Sequence, residues 1–350
     1  MNNFFKQFGG KVTQKHIKEY EQSEQWRDGS FKNLEHTTLG GNILDLPRII
    51  YKQLSNKKGR IPENPLPVKK FEIEEFLSPS DKAKFIWYGH SALLIRIQEM
   101  NILIDPMLGD NTTPIAPIAT KRFSENTLSI IDDFPEIDLV LLTHDHYDHL
   151  DFDSIQKLKS KTKRFFVALG VKRHLVAWGI DEKLITEFDW WMTEKLNQIN
   201  ITFTPTRHFS GRGLRDGSKT LWGGWAIKSR NENIWFSGDG GYGNHFKEIG
   251  EILGPFDIGF MECGQYNNDW KLIHLFPEEA IKAAKEAKVK KAIPVHWGGF
   301  PLSYQHTWKE PAEDFVTAAQ DDGQDYMLPS LGELCSTSDK LKNKWWSNFK

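Results

Sequence analysis

The sequence predicts an α/β layered sandwich, and three observations carry that prediction. Apolar runs of strand length recur between residues 85 and 295, bounded by Gly, Pro, Asn and Asp. Helical segments follow several of these runs, which suits helices flanking two sheets. The two halves also repeat one grammar. Residues 92–97 and 101–104 run into Asp105, and residues 221–228 and 233–237 form an apparent hairpin that runs into Asp239. Such a repeat points to an internal duplication.

In chain order, strands are expected at 85–88, 92–97 and 101–105, with Gly89-His90-Ser91 as the turn between the first two. Residues 107–126 are rich in Pro and Thr and read as a long loop, a candidate lid or lipid-contacting element. The apolar run 139–142 is a buried strand. A helix over 153–160, a strand over 165–169 and a helix over 171–178 follow. In the second half, strands are expected at 199–204, 221–228, 233–237, 258–262 and 291–295. Pro277 opens a helix to 287, with Glu278 and Glu279 in its first turn. A last helix over 312–319 precedes an irregular tail. The organisation is then an extension over residues 1–81 that wraps the core, with a short helix over 42–54, a core domain over 82–330 and a tail over 331–350.

Composition narrows the function classes. Of 350 residues, 39% are hydrophobic and 26% charged, as in a soluble globular protein. A net charge of −2 without a basic block argues against a nucleic-acid binder. Two cysteines, Cys263 and Cys335, neither imply a disulfide framework nor build a cysteine-rich zinc site. No apolar run approaches the length that spans a bilayer, and residues 1–6 lack the core of a signal peptide. A cytoplasmic location is expected.

The strand at 139–142 runs straight into His144, His146, Asp148 and His149. Imidazole nitrogen and carboxylate oxygen are the donors that Zn2+ and similar cations take. His208, Asp239 and His296 stand at other strand ends, where loops of an α/β sheet converge. One ion needs three or four protein ligands, so seven suit two ions. His144, His146 and His208 are assigned to one, Asp148, His149 and His296 to the other, with Asp239 between them. A water shared by two cations should be hydroxide near neutral pH. The ligand set lacks sulfur and suits Zn2+; Fe2+ and Mn2+ also fit.

The pattern His144-x-His146-x-Asp148-His149, followed by His208, Asp239 and His296, resembles the metallo-β-lactamase superfamily over residues 82–325. That resemblance implies a four-layer αββα sandwich with a dinuclear site at one edge. Antibiotic-degrading members typically carry cysteine where Asp239 stands, and the redox di-iron branch typically carries glutamate where His146 stands. β-Lactam hydrolysis and oxygen chemistry are therefore not expected. Thr143-His-Asp-His-Tyr-Asp-His-Leu-Asp151, Leu221-Trp-Gly-Gly-Trp225, Ser237-Gly-Asp-Gly-Gly-Tyr242, His274-Leu-Phe-Pro-Glu-Glu-Ala280 and Val295-His-Trp-Gly-Gly299 are similar to the N-acyl-phosphatidylethanolamine-hydrolysing phospholipase D group. The resemblance implies a zinc phosphodiesterase acting on phospholipid, peripheral to the membrane. The expected partners are a small-molecule or phospholipid substrate and a second copy in a homodimer, with no nucleic acid. A lactonase of phosphorylated sugar lactones shares the metal set and is the alternative; a non-catalytic ligand-binding member is a third.

Within this frame Asp148 is expected to orient the nucleophile as well as bind metal. His274 is a proton donor to the leaving alkoxide, or else a structural histidine. His90 reads as a turn histidine that caps backbone groups, with a place near the site as the alternative. Asp105 should hydrogen-bond a metal-binding histidine or the loop backbone. Arg207 and Arg212 are each either a phosphate clamp or a surface ion-pair residue. Cys263 reads as a small core residue. Trp222 and Trp225 would point to opposite faces of a regular strand, so at least one belongs to the core.

Overall fold

The computed structural model describes residues 3–38, 46–55, 58–112, 120–213 and 215–350. Ahead of the main sheets, a small hairpin joins β1 (Trp26–Arg27) to β2 (Ser30–Phe31). The first sheet takes β3 (Lys84–Trp87), β4 (Leu93–Ile97), β5 (Met100–Ile104), β6 (Leu139–Leu142), β7 (Phe165–Ala168) and β8 (Ile185–Phe188). The second takes β9 (Thr193–Leu196), β10 (Ile199–Thr204), β11 (Gly224–Lys228), β12 (Asn233–Phe236), β13 (Phe256–Glu262), β14 (Val289–Val295) and β15 (Asp325–Tyr326). A last strand, β16 (Leu334–Ser336), returns to the first sheet beside β3.

Among the described residues each sheet has seven strands, in the orders β16-β3-β4-β5-β6-β7-β8 and β15-β14-β13-β12-β11-β10-β9. In each, an antiparallel hairpin, β4–β5 or β11–β12, passes into parallel strands. The duplicated grammar of the sequence is thus a duplicated topology. Strands β6 and β7 are buried along their whole length, as parallel strands covered on both faces must be. Between the sheets, Phe85 meets Phe260 edge-to-face at 5.1 Å, and Phe188 meets Trp225 in the same way at 5.1 Å. Helices Phe152–Leu158 and Lys172–Ala177 follow β6 and β7, while helix Pro277–Glu286 packs on β13 and β14. The result is the four-layer αββα arrangement.

Local chemistry explains the element starts near the site. Asp151 caps the helix after the histidine loop, its carboxylate accepting from the Asp153 and Ser154 amides. Pro277 opens its helix, and the Glu279 side chain accepts from the Phe276 amide.

Besides the small hairpin of β1 and β2, four strands of the two main sheets escape the sequence reading. β9 is exposed and polar, a protected edge without an apolar alternation to betray it. β15 and β16 are two and three residues long, below any periodic signal. β8 reads Ile-Thr-Glu-Phe and is buried only at its ends. The strand expected over 221–228 begins only at Gly224. Before it, Leu221 and Gly223 donate to Leu169 and Thr143 of the first sheet's loops, so this stretch ties the two sheets together. Trp222 and Trp225 are both buried. Of the helix expected over 42–54, Leu46–Leu54 is helical, and 42–45 lie outside the described residues. Residues 113–119 of the long loop also lie outside them; its two ends pair through Asn111 and Lys121.

The terminal segments lie against the core. Trp178 donates from its indole to Lys6 O at 2.6 Å, and Asn33 exchanges two hydrogen bonds with the His208 backbone at 2.8 and 3.0 Å. Residues 331–350, read as a tail, place β16 on the first sheet and bury Trp345 and Trp346. Trp346 meets Trp297 edge-on at 5.2 Å. Truncating Trp346 to Ala leaves a cavity beside Trp297 and should cost about 3–5 kcal/mol, read as a shifted urea unfolding midpoint. An unshifted midpoint would mean the C-terminal segment contributes nothing to the folded state.

Candidate metal centre

All seven sequence-assigned ligands gather at the ends of strands from both sheets. β6 delivers His144, His146, Asp148 and His149; β10, β12 and β14 are followed by His208, Asp239 and His296. Three nitrogens converge first. His146 Nδ1 lies 2.9 Å from His144 Nε2 and 3.2 Å from His208 Nε2. A second set surrounds Asp239 Oδ2, which is 3.0 Å from His149 Nε2 and 2.9 Å from His296 Nε2. It is also 4.0 Å from His208 Nε2, so Asp239 stands between the two sets. Asp148 Oδ2 lies 3.5 Å from His296 Nε2 and 3.6 Å from His149 Nε2.

Each of four rings has its far nitrogen engaged elsewhere. His144 Nδ1 is 2.9 Å from the Thr143 hydroxyl, and His208 Nδ1 donates to Ile273 O at 2.9 Å. His149 Nδ1 donates to Asp105 Oδ2 at 2.8 Å, while His296 Nδ1 faces Gly264 O at 3.2 Å and Glu262 Oε1 at 3.3 Å. These contacts select the tautomer that aims Nε2 inward, as acceptors behind metal-binding histidines do. Close approach at His296 needs Gly264, where a Cβ would come within 1.9 Å of the His296 carbonyl oxygen.

The donor set fits cations. His296 Nε2 is buried and forms no hydrogen bond among the described residues, although two carboxylates stand nearby. Burial, with the neighbouring imidazoles, pushes His144 and His208 well below the usual histidine range, and burial lowers His146 too. Neutral imidazole is the form that binds metal. Burial alone would raise Asp148 and Asp239, but the surrounding histidines outweigh it and hold both carboxyls well below their usual range. Burial would likewise lower His149, yet Asp239, Asp148 and Asp105 lift it to about 10, and carboxylates raise His296 as well. The carboxylates thus demand positive charge at this point, which protons or metal cations can satisfy.

Other residues settle around this centre. Asp105 is fully buried; its oxygens accept from the Thr143 amide and hydroxyl and from His149. His274 Nδ1 donates to Glu262 Oε1 at 3.0 Å, and its ring borders a cavity of about 140 Å3. His146, Asp148, Asp239, His296 and Gln265 share that cavity with the apolar walls Phe209, Trp270 and Leu302. Neither arginine reaches it. Arg207 donates to His36 O, Thr37 and Tyr242 O. Arg212 is buried, donates to Asp145 O, Leu150 O and Gln7 O, and stacks 4.0 Å over the Tyr147 ring. Both alternatives weighed for Arg212, clamp and surface ion pair, give way to a brace under the histidine loop. Cys263 is buried in the core.

Sequence reasoning missed Glu262, whose single carboxylate supports both His274 and His296 and receives the Leu275 amide at 2.7 Å. Its position at the end of an apolar strand was the available signal. It also missed Asp145, fully buried between two ligand histidines, 3.3 Å from His174 Nε2 and accepting from the Gly211 amide. Spacing alone cannot reveal that role. Of the two readings for His90, a backbone-capping turn residue or a place near the site, the structure shows the second, with Nε2 3.0 Å from Asp148 Oδ2.

Comparison with known proteins agrees with this geometry. Residues 100–297 match the family described as the beta-lactamase superfamily domain. An uncharacterized protein of Mycobacterium tuberculosis is 32% identical over 93% of this chain and 88% of its own. N-acyl-phosphatidylethanolamine-hydrolyzing phospholipase D 1 of Caenorhabditis elegans is 30% identical over 87% of this chain and 91% of its own. Among solved structures, a metallo hydrolase of Ignicoccus hospitalis superposes with a TM-score of 0.57 at 22% identity, covering 73% of this chain and 98% of that one. The chain belongs to the metallo-β-lactamase superfamily and is a metal-dependent hydrolase of that fold.

Proposed function

We propose that this protein is a phospholipase D-like phosphodiesterase that hydrolyses N-acyl phosphatidylethanolamine or a related phospholipid. The observation that carries this reading is the near full-length similarity to the nematode N-acyl-phosphatidylethanolamine-hydrolyzing enzyme, together with the converging ligand set. His144, His146 and His208 would hold one divalent cation and Asp148, His149 and His296 a second, with Asp239 reaching both; Zn2+ suits these donors. Bound cations supply Lewis acidity and make water a nucleophile at neutral pH.

The chain's own groups account for the remainder. Among the described residues no Lys or Arg side chain lines the cavity, so a phosphodiester anion would find its countercharge at the cations. Phe209, Trp270 and Leu302 offer apolar surface to the part of a substrate that is not phosphate. The Glu262 contact commits His274 Nδ1, so a proton passed to a leaving alkoxide has to come from Nε2. Glu262 keeps that ring in place at the cavity it shares with His146. The substrate would be met at a membrane surface; among the described residues no helix is long and apolar enough to cross one.

The direct test offers metal-loaded protein three substrates: vesicles containing N-acyl phosphatidylethanolamine, a soluble phosphodiester and a phosphorylated sugar lactone. Release of phosphatidic acid from the vesicles is expected, lost on chelation and restored by Zn2+. Lactone opening with no diester cleavage would replace this reading with a lactonase. The role given to His274 has its own check. His274→Gln should lower kcat by about 10²–10⁴-fold while the bound metal, measured by elemental analysis, stays unchanged. Metal loss in parallel with activity would make His274 part of the metal-binding set instead.

A further inference from the structure

We propose that His90 is a positioning residue: donating from Nε2, it holds the Asp148 carboxylate and thereby sets the affinity of the cation site formed by Asp148, His149 and His296. This rests on the two-cation reading above. His90 Nε2 lies 3.0 Å from Asp148 Oδ2, and Nδ1 is buried without a hydrogen-bond partner among the described residues. A proton on Nδ1 would be a buried donor with nothing to accept it. The proton therefore sits on Nε2, where the carboxylate accepts it. The ring is fully buried, tilted against His296 with centroids 4.2 Å apart and met edge-on by Phe300 at 5.4 Å, so packing holds it in place.

The backbone around His90 explains why a histidine here needs a reason. Its φ is 54°, in the left-handed region that disfavours side chains. His296, its neighbour across the two sheets, has φ 68°. The pair is locked by backbone: His90 N donates to Trp297 O at 2.7 Å, and His296 N donates to His90 O at 2.8 Å. The Trp87 indole adds a third bond to His90 O at 2.8 Å. All three would serve any residue, and glycine would adopt the angle with least strain. Gly299 makes room for the side chain, because a Cβ there would lie 2.8 Å from His90 Cβ. Among the described residues, the hydrogen bond of the imidazole itself is to Asp148. Removing its donor frees the carboxylate to rotate, and the loss of such a support typically weakens metal binding about 10–100-fold.

His90→Gln and His90→Leu, made in the full chain, separate the donor from the fold. Both carry the same left-handed backbone penalty, but only glutamine keeps an N–H to offer. Zn2+ is titrated calorimetrically into the metal-stripped proteins. His90→Leu should keep one equivalent and bind the other about 10–100-fold more weakly, while His90→Gln should recover most of that loss. Unchanged affinity for both equivalents in His90→Leu, or equal loss in the two variants, overturns the proposal. A second readout uses the unsubstituted protein: ring 15N shifts of His90, assigned by their disappearance in His90→Gln, should report the Nε2–H tautomer. The Nδ1–H tautomer overturns the proposal even if His90→Leu fails to fold. Fewer than two equivalents in the unsubstituted protein would sink the two-cation reading instead, and the tautomer would still decide whether His90 holds Asp148.

Discussion

The buried carboxylate of Asp105 is the interaction on which the metal centre depends. Its two oxygens take the amide and hydroxyl of Thr143 and the Nδ1 proton of His149. The same Thr143 hydroxyl meets His144 Nδ1. One carboxylate therefore orients a histidine of each set. It can do so because it directly follows β5, beside the parallel strand β6 that carries the histidine loop. Asp239 ends the matching hairpin of the second half and projects among the ligands themselves. Two aspartates at equivalent places in a duplicated topology have thus taken different roles, one behind the ligands and one among them.

The ligands were legible because their chemistry is local. A strand that runs into three histidines and two aspartates within six residues announces a site, and the other donors each follow an apolar run. The hairpin repeat likewise made the two-sheet architecture readable. What stayed hidden depends on contacts between distant segments. Glu262 supports two histidines that lie 12 and 34 positions further along the chain. Arg212 braces carbonyls of a loop some sixty residues earlier in the chain. His90 looked like a turn residue because its turn is real; the ring's partner, Asp148, comes from another strand end. The polar edge β9 and the very short β15 and β16 were missed for a different reason, the lack of any periodic pattern to read.

The histidine loop is fastened from beneath as well as from its ends. Arg212 joins Asp145 O and Leu150 O to Gln7 O, and Arg173 joins Gly10 O to Gly170 O and Lys219 O. Segments before the core thereby share the loads of the loops that hold metal ligands. Rigid support of this kind is what keeps several donors at separations they would otherwise relax by moving apart.

β16 closes the edge of the first sheet next to β3, the strand that opens it in sequence. Some 250 residues separate the two partners, so this pairing is among the most non-local in the molecule. During synthesis β3 emerges early and waits with one side unpaired until β16 arrives. An uncovered strand edge is a template for pairing with the wrong neighbour. The vulnerable stage of this protein's life is therefore its birth, and slow translation or crowding of nascent chains should harm its yield more than its finished stability would suggest.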